Sequence, residues 1–258
     1  MKIVVVGATG AVGQTAVAAL SGRHEIIGVG RTSGDVHMDI EDVDSIRAMY
    51  QQVGRVDAVV SCVGHVHFGA VHEMTSDQFM EGILGKVLPQ VNLVLEGFDY
   101  MNDGGSFTVT SGVLNRDPIP GGSCAAAANG ALDGFVIGAA VDMPRGIRIN
   151  AVSPEVLEVC RAKYDGFFRG HVHVSNEAVG LAYSKAVEGC LSGQVLIVDY
   201  FRLVHPVFPG RVISDMMTLI ASPIPSVSST SRWNGHEAAK RIGALEDPRD
   251  PPNPRHPR

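Results

Sequence analysis

Three glycines near the N-terminus have the spacing of a phosphate-binding turn. Gly7, Gly10 and Gly13 follow a β-branched run at 3–6 and precede good helix formers at 14–20. A strand, a glycine turn and a helix in this order let backbone approach a pyrophosphate, with the free N–H groups of the helix directed at it. This pattern predicts a dinucleotide site, and a core strand followed by an ordinary turn is the simpler alternative. The predicted contacts are Gly7, Thr9, Gly10, Ala11, Val12 and Gly13.

The residues after the second predicted strand bear on the choice of dinucleotide. The strand at 25–29 ends at Gly30 and Arg31, and Thr32 and Ser33 follow, with no acid before Asp35. In dinucleotide folds an acid here binds the ribose 2′-hydroxyl, whereas a base accommodates a 2′-phosphate. Arg31 and Thr32 therefore predict NADP in preference to NAD. A solvated arginine after a strand is the alternative.

Further candidate residues lie where predicted strands end, because ligands of open α/β sheets bind beyond the carboxyl ends of the strands. Val63 and Gly64 close a strand at 57–63, over which we expect the cofactor to pass. Ser111 ends a strand at 105–111, and its hydroxyl stands where an α/β enzyme places chemistry. Asp39, in a short strand at 36–40, either meets an adenine amine or caps the next helix.

Composition and the remaining reactive residues exclude several classes of function. His65, His67 and His72 share a loop but have no acid or thiol at a recognisable ligand spacing, so we predict no metal site. The net charge of −6 gives no indication of nucleic-acid binding. Four widely spaced cysteines fit reduced thiols better than a disulfide framework. No apolar run reaches about 18 residues, so we expect a cytoplasmic protein without a membrane span.

Alternating strands and helices along residues 1–199 predict a single α/β domain that positions these groups. The other predicted helices span 41–52, 75–101 with a bend at Gly85 or Pro89, 123–141, and 176–188 with a cap at Ser175 or Asn176. The other strands are 146–152, ended by Ser153 and Pro154, and 193–199.

Two stretches fall outside this alternation. Residues 155–175 carry Tyr164, Phe167, Phe168, His171 and His173, and form either an aromatic lid over a substrate or a mobile surface loop. Residues 200–258 are rich in proline and serine and predict a largely irregular or disordered extension, in which pieces at 212–220 and 235–244 could dock.

The chain resembles the short-chain dehydrogenase/reductase family over roughly residues 1–199. The resemblance is carried by GATGAVG at 7–13, Arg31, Asp39-Ile40, VTS at 109–111, ALDGF at 131–135 and, most specifically, RGIRINAVSP at 145–154. It implies a Rossmann-type, doubly wound α/β fold with about seven parallel strands and helices on both faces. It also implies cofactor contacts from Arg31, Thr32, Asp39, Ile40, Val63, Gly64, Lys86 and Pro154.

The resemblance breaks at the catalytic residues. In the family, a serine polarises the substrate carbonyl, a tyrosine about thirteen residues later transfers the proton, and a lysine four residues further on lowers the tyrosine pKa. Ser111 matches the serine, but the tyrosine position falls at Cys124 or Ala125 and the lysine position at Ala128 or Asn129. Lys86 replaces the usual asparagine of the preceding helix, and Glu155 replaces a glycine. This is similar to a subgroup that keeps the glycine motif and lacks the active-site residues.

Two hypotheses follow from this pattern. The first is an NADP-dependent oxidoreductase with a degenerate active site, in which Ser111 orients a small carbonyl or alcohol substrate. Lys86, Cys124 or an ordered water then supplies the proton, with Lys86 the first candidate, and Asn129 is a further candidate catalytic residue. The second is an NADP(H)-binding sensor or scaffold without turnover. The resemblance also implies a homo-oligomer paired through the helices at 75–101 and 123–141.

Overall fold

Seven parallel strands form one sheet in the order β3-β2-β1-β4-β5-β6-β7. The computed structural model describes residues 1–164 and 166–199, so the extension predicted at 200–258, with its pieces at 212–220 and 235–244, lies outside the described residues. The predicted seven-stranded, doubly wound sheet is confirmed. The strands are β1 (Lys2–Val6), β2 (Glu25–Gly30), β3 (Val36–His37), β4 (Val56–Ser61), β5 (Met101–Thr110), β6 (Arg148–Pro154) and β7 (Gln194–Val198).

Helices cover both faces of the sheet. They are α1 (Ala11–Leu20), α2 (Val43–Val53), α3 (Ser76–Gly82), α4 (Leu88–Leu95), α5 (Ser123–Ala139), α6 (Arg161–Tyr164) and α7 (Asn176–Glu188). Side chains alternate between the two faces of a strand. In β1, Ile3 and Val5 pack with α1 and α7, whereas Val4 and Val6 pack with α2, α4 and α5. The β-branched run is therefore buried on both sides, as expected for a central parallel strand.

The predicted helix at 75–101 is wrong in its extent. Its bend at Gly85 is a π-helical segment, Ile83–Val87, between α3 and α4. Beyond α4, a Cβ on Gly97 would lie 2.6 Å from the Tyr50 hydroxyl oxygen, so the chain turns there in close contact with α2. Met101 then pairs with Val56 as the first residue of β5.

Several other boundaries differ from prediction, among them the predicted strands 36–40 and 105–111, which are Val36–His37 and Met101–Thr110, and one cap is corrected. β4 ends at Ser61 rather than 63, and β6 continues through Pro154, which pairs with Val198 of β7. The α2 cap is Asp42 and not Asp39, and the Asp42 carboxylate accepts from the Asp44 N–H at 3.0 Å. Ser175 caps α7, as predicted. Among the residues described, no helix is both long and apolar enough to cross a bilayer.

Candidate functional site

The glycine turn brings the end of β1 close to the start of α1. Gly7 has a φ of +79°, and a Cβ on it would lie 2.6 Å from the Val63 side chain. A Cβ on Gly13 would overlap the carbonyl oxygen of Gly7. No side chain caps α1 at Gly10, so the N–H groups of its first turn point out of the helix end beside Ala11 and Val12. This backbone cradle suits a phosphate group.

The loop after β2 carries an exposed cation. Arg31 donates to Asp39 at 2.8 Å and lies 3.4 Å from Glu41, and the Asp39 bond raises the pKa of Arg31. The N–H of Glu41, more than Arg31, lowers the pKa of Asp39. Asp35 accepts from the Gly28 N–H at 2.8 Å, so its carboxylate is already engaged with backbone.

Neighbouring parts of this loop are arranged around it. Thr32 is exposed, and Thr9 is joined to the loop by a 3.0 Å hydrogen bond between its hydroxyl and that of Ser33. Ile40 is half-buried against the core. The structure thus brings Thr9, Arg31 and Asp39 to the same edge of the sheet as the glycine turn.

The loop after β4 packs directly against the π-helical segment. Gly64 has a φ of +142°, and a Cβ on it would lie 2.5 Å from Lys86 Cγ. The His65 N–H donates to the carbonyl oxygen of Gly85 at 3.1 Å. A glycine at position 64 therefore lets Lys86 pass beneath this loop.

The end of β5 is held by Gln90 of α4. Gln90 is fully buried; its Nε2 donates to the Thr110 carbonyl at 3.0 Å, and its Oε1 accepts from the Thr110 N–H at 2.9 Å. The next residue, Ser111, bonds through its N–H to Val152 of β6 at 3.0 Å. The Ser111 hydroxyl is buried and has no hydrogen-bond partner among the described residues. That hydroxyl is free to donate to a ligand.

Lys86 approaches Ser111 from the π-helical segment. Its Nζ donates to Asn129 Oδ1 at 2.6 Å and to the Ser111 carbonyl at 2.9 Å. Burial lowers the pKa of Lys86 to about 8, and the charge of Asp133 opposes the shift. Both of its partners are neutral oxygens, and no described carboxylate forms an ion pair with it. The structure therefore holds a partly buried amine whose pKa lies well below that of an ordinary lysine.

Helix α5 supplies the facing wall of the site. Of the residues that the sequence offered for the family tyrosine and lysine, Ala125 and Asn129 line the cavity. Cys124 points the other way, with its thiol donating to the Phe79 carbonyl of α3 at 3.4 Å. Cys124 is therefore not brought to the candidate site, because consecutive residues of a helix face different directions.

One cavity of about 550 Å³ connects these groups. It extends from Gly10, Ala11 and Val12 past Val63 and Gly64 to Lys86, Ser111 and Asn129, and it is lined by Pro154. Within residues 155–175, Leu157, Tyr164 and Phe168 line the same cavity, which favours the lid over the surface loop. Phe167 is 66% exposed and lies outside the cavity lining.

Tyr183 takes no part in the site. It is fully buried, and its hydroxyl lies 2.6 Å from the Thr110 hydroxyl. Burial raises the pKa of Tyr183. Glu155, noted in the sequence only as a replaced glycine, lies in the cavity wall and bonds His171 at 2.9 Å. No spacing signal could have joined those two residues, because they are brought together only by the fold.

Comparisons with known proteins agree with this architecture. A family model described as enoyl-(acyl carrier protein) reductase matches residues 2–178. The hydroxynaphthalene reductase arp2 of Aspergillus fumigatus is 28% identical over 147 residues, which cover 55% of this chain and 54% of that protein. The chain thus spans about half the length of the curated relatives it matches.

Solved structures match over a larger share. The protein lin1944 from Listeria innocua is 46% identical with a TM-score of 0.76, covering 77% of this chain and 99% of that one. A small-chain dehydrogenase is 26% identical with a TM-score of 0.66, covering 77% and 96% of the two chains.

Proposed function

Because the chain belongs to the short-chain dehydrogenase/reductase family, whose members bind a nicotinamide cofactor, we propose that it is an NADP-dependent oxidoreductase. The reaction is hydride transfer between nicotinamide and a small carbonyl or alcohol substrate. The observation that carries the proposal is the single cavity joining the glycine turn to Lys86 and the unpartnered Ser111 hydroxyl. The same cavity therefore offers a place for a dinucleotide at the glycine turn and hydrogen-bond donors for a substrate oxygen at Ser111 and Lys86.

The residues at the cofactor end fit NADP. The cradle at Gly7 and Gly13 leaves no room for side chains, as close approach of backbone to a pyrophosphate requires. Asp35, the first acid after β2, is bonded to the Gly28 N–H and is not free for a ribose hydroxyl. Arg31 is 60% exposed, and its ion pair with Asp39 is of a kind worth at most about 1 kcal/mol, so a phosphate can replace that partner.

At the other end, Ser111 keeps the role of the family serine, and Lys86 takes the proton-transferring role of the missing tyrosine. When bound, the cofactor supplies or accepts the hydride at the substrate carbon. The Ser111 hydroxyl donates to the carbonyl oxygen, and the Lys86 ammonium gives that oxygen its proton as the alcohol forms. An amine whose pKa is about 8 is well matched to proton transfer near neutral pH.

The family uses a lysine and an asparagine in this part of the site, and this chain also has both, but each lies in the segment where the family has the other. The resemblance implies an asparagine in the helix before β5 and a lysine on α5, whereas here the lysine comes first and the asparagine lies on α5. Their 2.6 Å hydrogen bond keeps one cation in the site. Asn129 is thus a positioning residue, since it orients Lys86 through the amide oxygen.

The substrate end of the cavity is largely apolar. Val113, Leu114, Tyr164 and Phe168 line it, which suits an aromatic or aliphatic ketone whose oxygen lies at Ser111. The reductase name of the Aspergillus fumigatus relative is in keeping with an aromatic substrate.

The test is a fluorescence titration with NADPH, followed by NADPH consumption against a panel of aromatic and aliphatic ketones. Removing a positioned general acid costs roughly 10² to 10⁴ in rate, so we expect Lys86→Met to lose activity on that scale while still binding NADPH. Lys163→Met is the matched control, because Lys163 also lines the cavity but is exposed and lies over the Tyr164 ring at 5.0 Å. Equal activity in the Lys86→Met and wild-type proteins would contradict the assigned role.

A second candidate function is favoured by Ala125. Its methyl side chain lines the cavity and carries no proton to transfer, and neither position offered for the family tyrosine, Cys124 or Ala125, holds a phenol. The chain could therefore bind NADP(H) as a sensor or scaffold without turnover. Tight NADPH binding with no consumption on any ketone would favour this candidate. Failure to bind NADPH or NADH would exclude both.

We also propose that the chain forms a homo-oligomer. Leu84, Leu88 and Leu95 are 52%, 43% and 56% exposed and recur on one helical face. On α5, added Cβ atoms at Gly134 and Gly138 would meet nothing within 4 Å, so this side of the helix is open to a neighbour. Apolar side chains beside an open helix surface suit a second copy of the chain.

A further inference from the structure

Three side chains of the types that bind metal ions meet at the lid segment, residues 155–175. Asp117, Glu155 and His171 each direct one ligand atom into the same space, and these atoms all lie within 4.8 Å of one another. Asp117 belongs to the loop between β5 and α5, Glu155 directly follows β6, and His171 lies near the end of the lid segment. Three separate parts of the chain therefore converge on one point.

Within the part of the chain that the structure describes, the carboxylates of this group have no ion-paired lysine or arginine. The side chains of Glu155 and His171 are each 5% exposed, and His171 Nδ1 lies 2.9 Å from Glu155 and 3.7 Å from Asp117. Two acidic side chains therefore face one imidazole in this group. A bound cation would compensate the buried charge of Glu155.

The distances suit a small divalent ion. Two ligand atoms about 2.1 Å from one ion lie roughly 3.0 to 3.4 Å apart at right-angled to tetrahedral geometry. From His171 Nδ1, the Glu155 and Asp117 oxygens lie at 2.9 and 3.7 Å, on either side of that range, and all three ligand atoms lie within 4.8 Å of one another. One imidazole nitrogen with two carboxylate oxygens is a donor set that Zn²⁺ accepts.

The surroundings also fit such a site. The second oxygen of Glu155 accepts from the Val156 N–H at 2.9 Å, which fixes the carboxylate. The His171 ring packs edge-on against Phe168 at 5.2 Å. Asp117 and His171 line a second cavity of about 520 Å³, which offers the ion an entry path and room for water ligands.

We propose that Asp117, Glu155 and His171 form a site for one divalent transition-metal ion of the Zn²⁺ type, which ties the lid segment to the loop after β5. The ion links the first residue of the lid segment to its far end, and both to the Asp117 loop. Its role is to hold Tyr164 and Phe168 in the wall of the main cavity. The site does not depend on the proposed oxidoreductase activity.

The test is calorimetric titration of ZnCl₂ into the full-length chain without an affinity tag, cofactor or substrate. We expect a site of about one ion per chain whose affinity falls at least about tenfold in His171→Gln and in Asp117→Asn. Zinc should also raise the thermal unfolding midpoint of the wild type, and that rise should be smaller in both variants.

His72→Gln is the matched control. His72 also faces a carboxylate, with Nε2 3.7 Å from Glu73, but both side chains are more than 75% exposed, so we expect no change in zinc affinity. Asp117 is 58% exposed, and its substitution leaves the core intact even if His171→Gln fails to fold. Zinc affinity that is unchanged in Asp117→Asn, or that falls equally in His72→Gln, overturns the proposal.

Discussion

In the wild-type protein, Lys86 should make the free energy of unfolding rise with pH between about 8 and 10.5. Replacing Lys86 with methionine should abolish this rise. Burial lowers the folded-state pKa of Lys86 to about 8 from the ordinary 10.5. Below pH 8 Lys86 is charged in both the folded and the unfolded state, and the folded protein bears the full free-energy penalty of burying the ammonium group. As pH rises from 8 to 10.5, the unfolded chain binds more protons than the folded one, so the wild-type free energy of unfolding rises.

The magnitude follows from the two pKa values. A shift of one unit corresponds to about 1.4 kcal/mol, so the whole contribution is on the order of 3 kcal/mol. Methionine has no titrating group, and every other titration is common to both proteins. The wild-type minus Lys86→Met difference in unfolding free energy should therefore increase across this window and be flat below about pH 7.

The assay is urea unfolding of both proteins, followed by circular dichroism at half-unit steps from pH 6.5 to 10.5. The two hydrogen-bond acceptors left without Lys86, Asn129 Oδ1 and the Ser111 carbonyl, add a cost to the variant that does not change with pH. Only the slope of the difference is therefore informative. A difference that stays constant with pH would refute the low pKa of Lys86, and with it the argument for its role as proton donor.

Three further predictions address the cofactor site and the assembly. Arg31→Glu should weaken NADPH binding about tenfold or more, because it removes a charge-assisted hydrogen bond to the 2′-phosphate, and it should weaken NADH binding much less. Equal losses for the two dinucleotides in a fluorescence titration would contradict the 2′-phosphate assignment. Gly13→Ala places a Cβ on the Gly7 carbonyl and should weaken both dinucleotides, whereas Gly22→Ala, where a Cβ meets nothing within 4 Å, should bind them normally in the same assay. Gly134→Glu adds a charged side chain to the open surface of α5. We expect light scattering to show monomers in place of the oligomer, and circular dichroism to show that the fold is retained. An unchanged mass, or a wild type that is itself monomeric, would count against this surface as the interface.

The fold was accessible from sequence because its signals are local. The β-branched run in β1 and the glycines after it specify a buried strand and a close turn, and the remaining strands repeat that pattern. Boundaries were less accessible where contacts with distant residues decide them. Gly97 turns the chain because Tyr50 lies against it, and nothing near residue 97 in the sequence indicates Tyr50.

In the candidate site, too, local sequence signals identified the candidate residues, whereas contacts between distant residues decide which of them face the cavity. Spacing alone left the tyrosine position at Cys124 or Ala125, and the difference depends on which helical face meets α3. Once Cys124 bonds to Phe79, Ala125 and Asn129 must face the cavity. The pairing of Lys86 with Asn129 is likewise a product of tertiary packing, since 43 residues separate them.

The strand order β3-β2-β1-β4-β5-β6-β7 lets the sheet grow outward as the chain leaves the ribosome. The first 61 residues already contain four neighbouring strands, with Val4 pairing both Ile27 and Val59. Each later strand then joins the free edge left by its predecessor, in the order of synthesis. Among the described strands, each new strand is added at an edge of the sheet, so no late strand has to be inserted between two finished ones. The glycine turn is thus enclosed by its neighbours long before β7 is made.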